Sequence, residues 1–156
     1  QAAWDKLVQL QPQADKRFIY GHSLGGAIAV DLAERIRDKD EPKAAGLIIE
    51  STFTDLAAAA AAVANTSLPV RWIMSEKFDS IDKIADIGIP VLIVHGTDDR
   101  YVPSRLSQEL FEAAAPPKQL LLVPGGTHNN SMTIGSREYA KALREVFGLQ
   151  SSASLR

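Results

Sequence analysis

Of the many serines in this chain of 156 residues one stands, with three histidines and a few carboxylates, where acyl-transfer chemistry could be assembled. The serine is Ser23, in Gly21-His22-Ser23-Leu24-Gly25, a G-x-S-x-G spacing. A serine at the apex of a strand-to-helix turn is held in a strained backbone conformation with its hydroxyl pushed into the open. Residues two before and two after such an apex crowd the backbone, so glycine suits both places. The helix beyond it aims its N-terminal amides and positive dipole end at negative charge forming on an attacked carbonyl. A glycine-rich turn with a surface serine would carry the same five letters. The context argues for more: the apolar run Phe18-Ile19-Tyr20 precedes the turn and an apolar helix follows it. Two phosphate motifs are excluded, because the dinucleotide fingerprint needs glycine where Ser23 stands and the P-loop needs lysine where Ala27 follows Gly26.

A serine hydroxyl is a weak nucleophile until a base takes its proton, and the base works best when a carboxylate fixes its tautomer and steadies its cation. His22 is adjacent to Ser23 in a tight turn, so its side chain points away from the hydroxyl. His95 ends a strand before Gly96, a position suited to orienting a loop by hydrogen bonds. His128 lies in a glycine-rich loop after the last strand, free to reach over the sheet edge, and is the expected base. For the acid the residues leave three candidates: Asp98 and Asp99 in the turn after one strand, and Glu50 at the end of the strand before it.

The elements that must position these groups alternate along the chain. An amphipathic helix over Ala2–Leu10, with Ala3, Leu7, Val8 and Leu10 beside Trp4, is followed by a strand over Arg17–Tyr20 and a helix from Gly25 to about Lys39 whose first turns are apolar all round. Ala45–Ile49 is a continuously apolar strand of the kind buried inside parallel sheets. Residues 54–79 are the least regular part and read as a small cap insertion, in which Trp72, Ile73, Met74 and Phe78 are candidates to line an acyl pocket or simply to pack cap against body. A short helix over Ser80–Ile87 leads to the strand Val91–Val94. A helix opened by Pro103 follows, then the strand Gln119–Val123 and a last helix from about Ser136 that ends at Gly148. Residues 149–156 read as a loose tail. Strands alternating with helices predict an α/β fold, a parallel sheet flanked by helices, in one domain over 1–156. Active groups of such sheets gather beyond the carboxyl ends of the strands, where Ser23, Glu50, Asp99 and His128 all fall.

Bulk properties narrow the classes. A hydrophobic fraction of 46% with 23% charged residues suits one domain with a real core. A net charge of -2 gives no basic field for nucleic acid. Zero cysteines exclude disulfides, thiolate metal sites and a cysteine nucleophile, and leave the compartment open, with the cytosol as the default expectation. The longest apolar run, Leu56–Ala64, is too short for a bilayer, which takes about 20 residues. The chain starts at Gln1 with no charged-then-apolar leader. Three scattered histidines without H-E-x-x-H predict no zinc site, and no metal or organic cofactor is expected.

Taken together, Gly21-His22-Ser23-Leu24-Gly25-Gly26, then His95-Gly96-x-x-Asp99-x-x-Val102-Pro103, then Gly126-Thr127-His128 resemble the carboxyl-terminal half of a serine α/β-hydrolase. The resemblance covers nearly the whole chain. It is strongest to the serine aminopeptidase and monoacylglycerol-lipase-like hydrolases and the related abhydrolase proteins that deacylate lipids or acylated proteins, with Glu50-Ser51-Thr52-Phe53-Thr54 as weak further support. The order nucleophile, acid, histidine is that of the superfamily. The resemblance implies Asp99 as the acid, Asp98 as a cap on the turn, and hydrolysis of an ester, thioester or amide of a small molecule or lipid by Ser23, His128 and Asp99. It also implies a departure. Such enzymes carry further strands before the serine, with a loop that donates one oxyanion amide, so this chain supplies only the Leu24 amide. Losing one such donor costs about a hundredfold to a thousandfold in rate. The segment alone is therefore expected to be crippled, with an open, aggregation-prone edge at Phe18–Tyr20. The alternative from another class, a non-catalytic hydrolase-fold binding domain, predicts a broken set of three, whereas all three members are present here.

Overall fold

Four short, largely apolar runs pair side by side in parallel. The computed structural model describes residues 2–37, 43–55, 58 and 79–149. Within them β1 (Phe18–His22), β2 (Gly46–Glu50), β3 (Val91–Gly96) and β4 (Lys118–Val123) form one sheet in the order β1-β2-β3-β4. The pairing sets Ile19 beside Leu47, Leu47 beside Val91 and Val91 beside Lys118, and it brings His22 level with Glu50 at the carboxyl edge.

Helices cover both faces. They are α1 (Ala2–Leu10), α2 (Leu24–Arg35), α3 (Ser80–Lys83), α4 (Arg105–Ala113), α5 (Ser131–Ile134) and α6 (Ser136–Phe147). Because side chains alternate along a strand, Val91 and Ile93 of β3 enter a core with Trp4 of α1, Val30 and Ala33 of α2 and Leu110 of α4. Leu92 and Val94 enter the opposite core, with Tyr139 and Ala142 of α6. All four β3 residues are sealed from solvent, which is why the strand is apolar on both faces. Each such side chain contributes about 1.5–3 kcal/mol through burial, so β3 is the centre of the fold. α6 presses its Phe147 edge-on against Phe18 at 5.1 Å and ends at Gly148.

Some details differ from expectation. β1 runs two residues further than Tyr20, because His22 still pairs with Glu50. α2 ends at Arg35 rather than near Lys39. Its Ile28 is 49% exposed, on a side that no described element covers, and Leu10 at the end of α1 is 71% exposed where the next residues turn away. The short α5, directly after the His128 loop, was not anticipated; its four residues carry too little periodicity to announce a helix. Of the expected cap, residues 56, 57 and 59–78 lie outside the described residues, Trp72, Ile73, Met74 and Phe78 with them, as does the tail beyond Leu149. Among the described residues, no helix is long and apolar enough to cross a membrane.

Candidate active site

Ser23 stands alone between the last residue of β1 and the first of α2, at φ 54 and ψ -122. A non-glycine residue held there costs about 1–3 kcal/mol, so its surroundings must enforce it. They do so from β2 and the segment after it. The Ser23 N–H donates to the Glu50 carbonyl at 2.9 Å, while the Ser23 carbonyl accepts from the Gly26 N–H at 2.9 Å and from the Thr52 hydroxyl at 2.7 Å. Gly21 is required by close approach: a Cβ there would sit 2.1 Å from the Gly25 carbonyl oxygen. The N–H of Leu24 opens α2, where amides have no acceptor within their own helix.

Asp99 lies in the loop after β3, and its side chain has no exposed surface. One oxygen, Oδ1, accepts the backbone N–H groups of Tyr101 and Val102, each at 2.9 Å. The other, Oδ2, accepts His128 Nδ1–H at 2.7 Å and lies 3.2 Å from His95 Nε2. Burial by itself would raise the pKa of this carboxyl. The hydrogen bonds from His128, His95, Val102 and Tyr101 more than offset it and hold the group well below the usual carboxylate range. His95 is completely buried, with Nδ1 2.6 Å from the Ser107 hydroxyl and Nε2 2.9 Å from the Val102 carbonyl. Since a carbonyl only accepts, Nε2 carries hydrogen and a neutral ring accepts from Ser107 at Nδ1.

His128 is brought to Asp99 by the close contact of two loops. The Asp98 N–H donates to the Gly126 carbonyl at 2.8 Å and the Gly125 N–H to the Thr97 hydroxyl at 3.0 Å. Gly96 permits this approach, since a Cβ there would fall 2.2 Å from the Gly126 oxygen. Asp99 is a pure acceptor when ionised, so Nδ1 of His128 carries the hydrogen and a neutral ring keeps a free electron pair at Nε2. The ring is flanked by His22, with centroids 4.8 Å apart, and by Tyr101 at 5.5 Å. His22 Nε2 also donates to the His128 carbonyl at 2.6 Å, which sets the loop beside the turn that carries Ser23.

The structure thus pairs His128 with Asp99, not with the other two carboxylate candidates. Asp98 stays exposed and takes the Thr97 hydroxyl at 3.1 Å. Glu50 is buried on the α6 side, where it accepts the Tyr20 hydroxyl at 3.0 Å and faces the phenol of Tyr139. Sequence reasoning passed over Thr52, Ser107 and the donor role of His22, which come from separate segments and form no local pattern. Among the described residues no group of three or more His, Cys, Asp or Glu side chains is arranged to hold a metal ion.

This architecture, a parallel sheet between helices, is that of the α/β hydrolases. A Pyrococcus furiosus esterase superposes with a TM-score of 0.68 at 18% identity, covering 94% of this chain and 60% of its own. A monoacylglycerol lipase from Paleococcus ferrophilus gives 0.62 at 19% identity, covering 93% of this chain and 73% of its own. More specifically, the chain belongs to the serine aminopeptidase S33 family, whose model matches residues 1–82 and 76–132. An uncharacterized protein of Mycobacterium tuberculosis is 40% identical over 125 residues, 80% of this chain and 42% of that protein. The lysophosphatidylserine lipase ABHD12 of Danio rerio is 35% identical over 115 residues, 66% of this chain and 30% of the lipase. The chain thus spans well under half the length of these relatives.

Proposed function

We propose that the protein carrying this chain is a serine hydrolase that cleaves a carboxylic ester, thioester or amide of a small molecule or lipid through an acyl-enzyme on Ser23. Nε2 of His128 takes the Ser23 hydroxyl proton as the oxygen attacks the carbonyl carbon, and Asp99 steadies the imidazolium. The tetrahedral oxyanion is stabilised by the Leu24 N–H at the start of α2. The intermediate collapses by expelling the leaving group, which receives the proton from His128. Water then attacks the acyl-enzyme, giving its proton to His128, which passes it to the Ser23 oxygen as the acid product leaves. No metal or organic cofactor enters the sequence. The supporting observation is the 2.7 Å pairing of His128 Nδ1 with an Asp99 ringed by donors, in a loop tied to the turn that bears Ser23.

Esters are the preferred substrates in this reading, in keeping with the lipase and esterase among the similar proteins. The test uses the full-length protein, because the chain spans 42% of its mycobacterial relative and one oxyanion donor is assigned within it. Turnover of p-nitrophenyl esters of graded chain length is compared with that of aminoacyl anilides, in the wild type and in Ser23→Ala. Ester turnover lost in Ser23→Ala supports the proposal. An inert wild type favours a non-catalytic binding domain, and anilides turned over faster than every ester move the activity to a peptidase.

A further inference from the structure

The hydrogen bonds holding the 125–130 loop are unevenly shared between its two neighbours. Toward the loop after β3 it has three: the Asp98 N–H to the Gly126 carbonyl, the Gly125 N–H to the Thr97 hydroxyl, and His128 Nδ1 to Asp99. Toward the turn after β1 it has one among the described residues, His22 Nε2 to the His128 carbonyl. The first group fixes the ring against its carboxylate. None of the three fixes the ring relative to Ser23, which follows β1, whereas the loop follows β4 at the other end of the sheet order.

We propose that His22 is a positioning residue, whose imidazole ties His128 to the serine turn and sets the distance between the proton donor and the base. This rests on the reading of Ser23, His128 and Asp99 given above. The link is short: His22 is the neighbour of Ser23, and the carbonyl it holds belongs to His128 itself, so one 2.6 Å bond joins the backbone frames of the two reacting residues. The two imidazoles also pack at 4.8 Å and 58°, which resists a tilt of the His128 ring. Because the acceptor is a carbonyl, Nε2 must carry hydrogen, which it does both in one neutral tautomer and in the cation. The tie therefore survives protonation of His22. A residue in this position acts on geometry alone, and small displacements of reacting groups lower the rate steeply.

The experiment uses the full-length protein and one short-chain p-nitrophenyl ester. His22→Gln keeps an N–H donor at nearly the reach of Nε2, His22→Asn places its donor too short, and His22→Leu removes it. The expected pattern is a kcat lower by about tenfold to a hundredfold in His22→Leu and His22→Asn with KM changed by less than about twofold, and recovery of most of that loss in His22→Gln. Labelling of Ser23 by a fluorophosphonate should slow in step with kcat. If His22→Leu fails to fold, the Gln and Asn pair decides, since the two differ mainly in reach. The proposal is overturned if kcat stays within about twofold of wild type in the variants lacking the donor, or if Gln is no better than Asn. Ester turnover persisting in Ser23→Ala or His128→Ala would instead remove the catalytic reading beneath it, an outcome that the His22 variants do not mimic.

Discussion

Glu50 closes β2 and Asp99 follows β3, so two carboxylates stand beyond neighbouring strands, both shut away from water, in surroundings of opposite character. Asp99 is met by four N–H groups, two from imidazoles and two from the backbone, and each favours its charge. Glu50 meets phenols. Burial, then its charge and the hydrogen bond it accepts, push the pKa of Tyr20 up to about 12, and burial followed by the charges of Glu50 and Tyr20 pushes that of Tyr139 upward. What separates these two carboxylates is therefore not burial, which they share, but the donors that surround each one. Asp99 is built to stay ionised beside a histidine. Glu50 instead accepts the Tyr20 hydroxyl of β1 beside the phenol of Tyr139, and its backbone carbonyl holds the Ser23 N–H.

The largest expected effect would break this contrast directly. Asp99→Asn should lower kcat by about ten thousandfold, since the amide stabilises the wrong imidazole tautomer, whereas Glu50→Gln should change it by less than about tenfold; steady-state ester hydrolysis on the full-length proteins checks both. Next comes His95→Leu. It removes one donor from Asp99 and leaves the Ser107 hydroxyl buried without its partner, so thermal or urea unfolding should show a loss of about 1–3 kcal/mol. Smaller still is Tyr20→Phe, which deletes the hydrogen bond to Glu50 and should lower stability by about 0.5–1.5 kcal/mol with turnover nearly unchanged.

The two carboxylate environments also predict opposite pH signatures. Asp99 has a folded pKa below its unfolded value of about 3.9, so its stabilisation is present above that pH and fades as the pH falls toward the folded value. Melting curves of Asp99→Asn should accordingly show a shallower acid limb than those of the wild type. Tyr20 works at the other end. Its unfolded phenol ionises near pH 10 and the folded one at about 12, so the unfolded state sheds its proton first and stability drops as the pH rises between them. Tyr20→Phe should remove that part of the alkaline loss.

The sequence was most informative where chemistry demands a local pattern. Ser23 was legible because the turn needs glycine at Gly21 and an apolar strand and helix on either side, and the structure has it at positive φ between β1 and α2. The buried parallel strands were legible from Ile48, Ile49 and Val91–Val94, whose unbroken apolar character requires burial on both faces, whereas the order in which they pair leaves no local mark. The choice of carboxylate was different. From the residues alone Asp98, Asp99 and Glu50 stayed equal, and only the H-G-x-x-D-x-x-V-P resemblance favoured Asp99, because the donors that distinguish it come from four positions between His95 and His128. His22 was read as turned away from Ser23, with no hint of its bond to His128, since nothing in the sequence encodes a contact across 106 positions. Thr52 and Ser107 were silent for the same reason.

The proposed chemistry requires Ser23 to be the group acylated, with His128 as its base. The measurement that reaches it most directly is peptide mapping by mass spectrometry of the full-length protein after reaction with a fluorophosphonate. A single adduct is expected, on the peptide carrying Ser23, formed at least about a thousandfold more slowly in His128→Ala. An adduct on another residue, or unchanged labelling of Ser23 without the histidine, would contradict it.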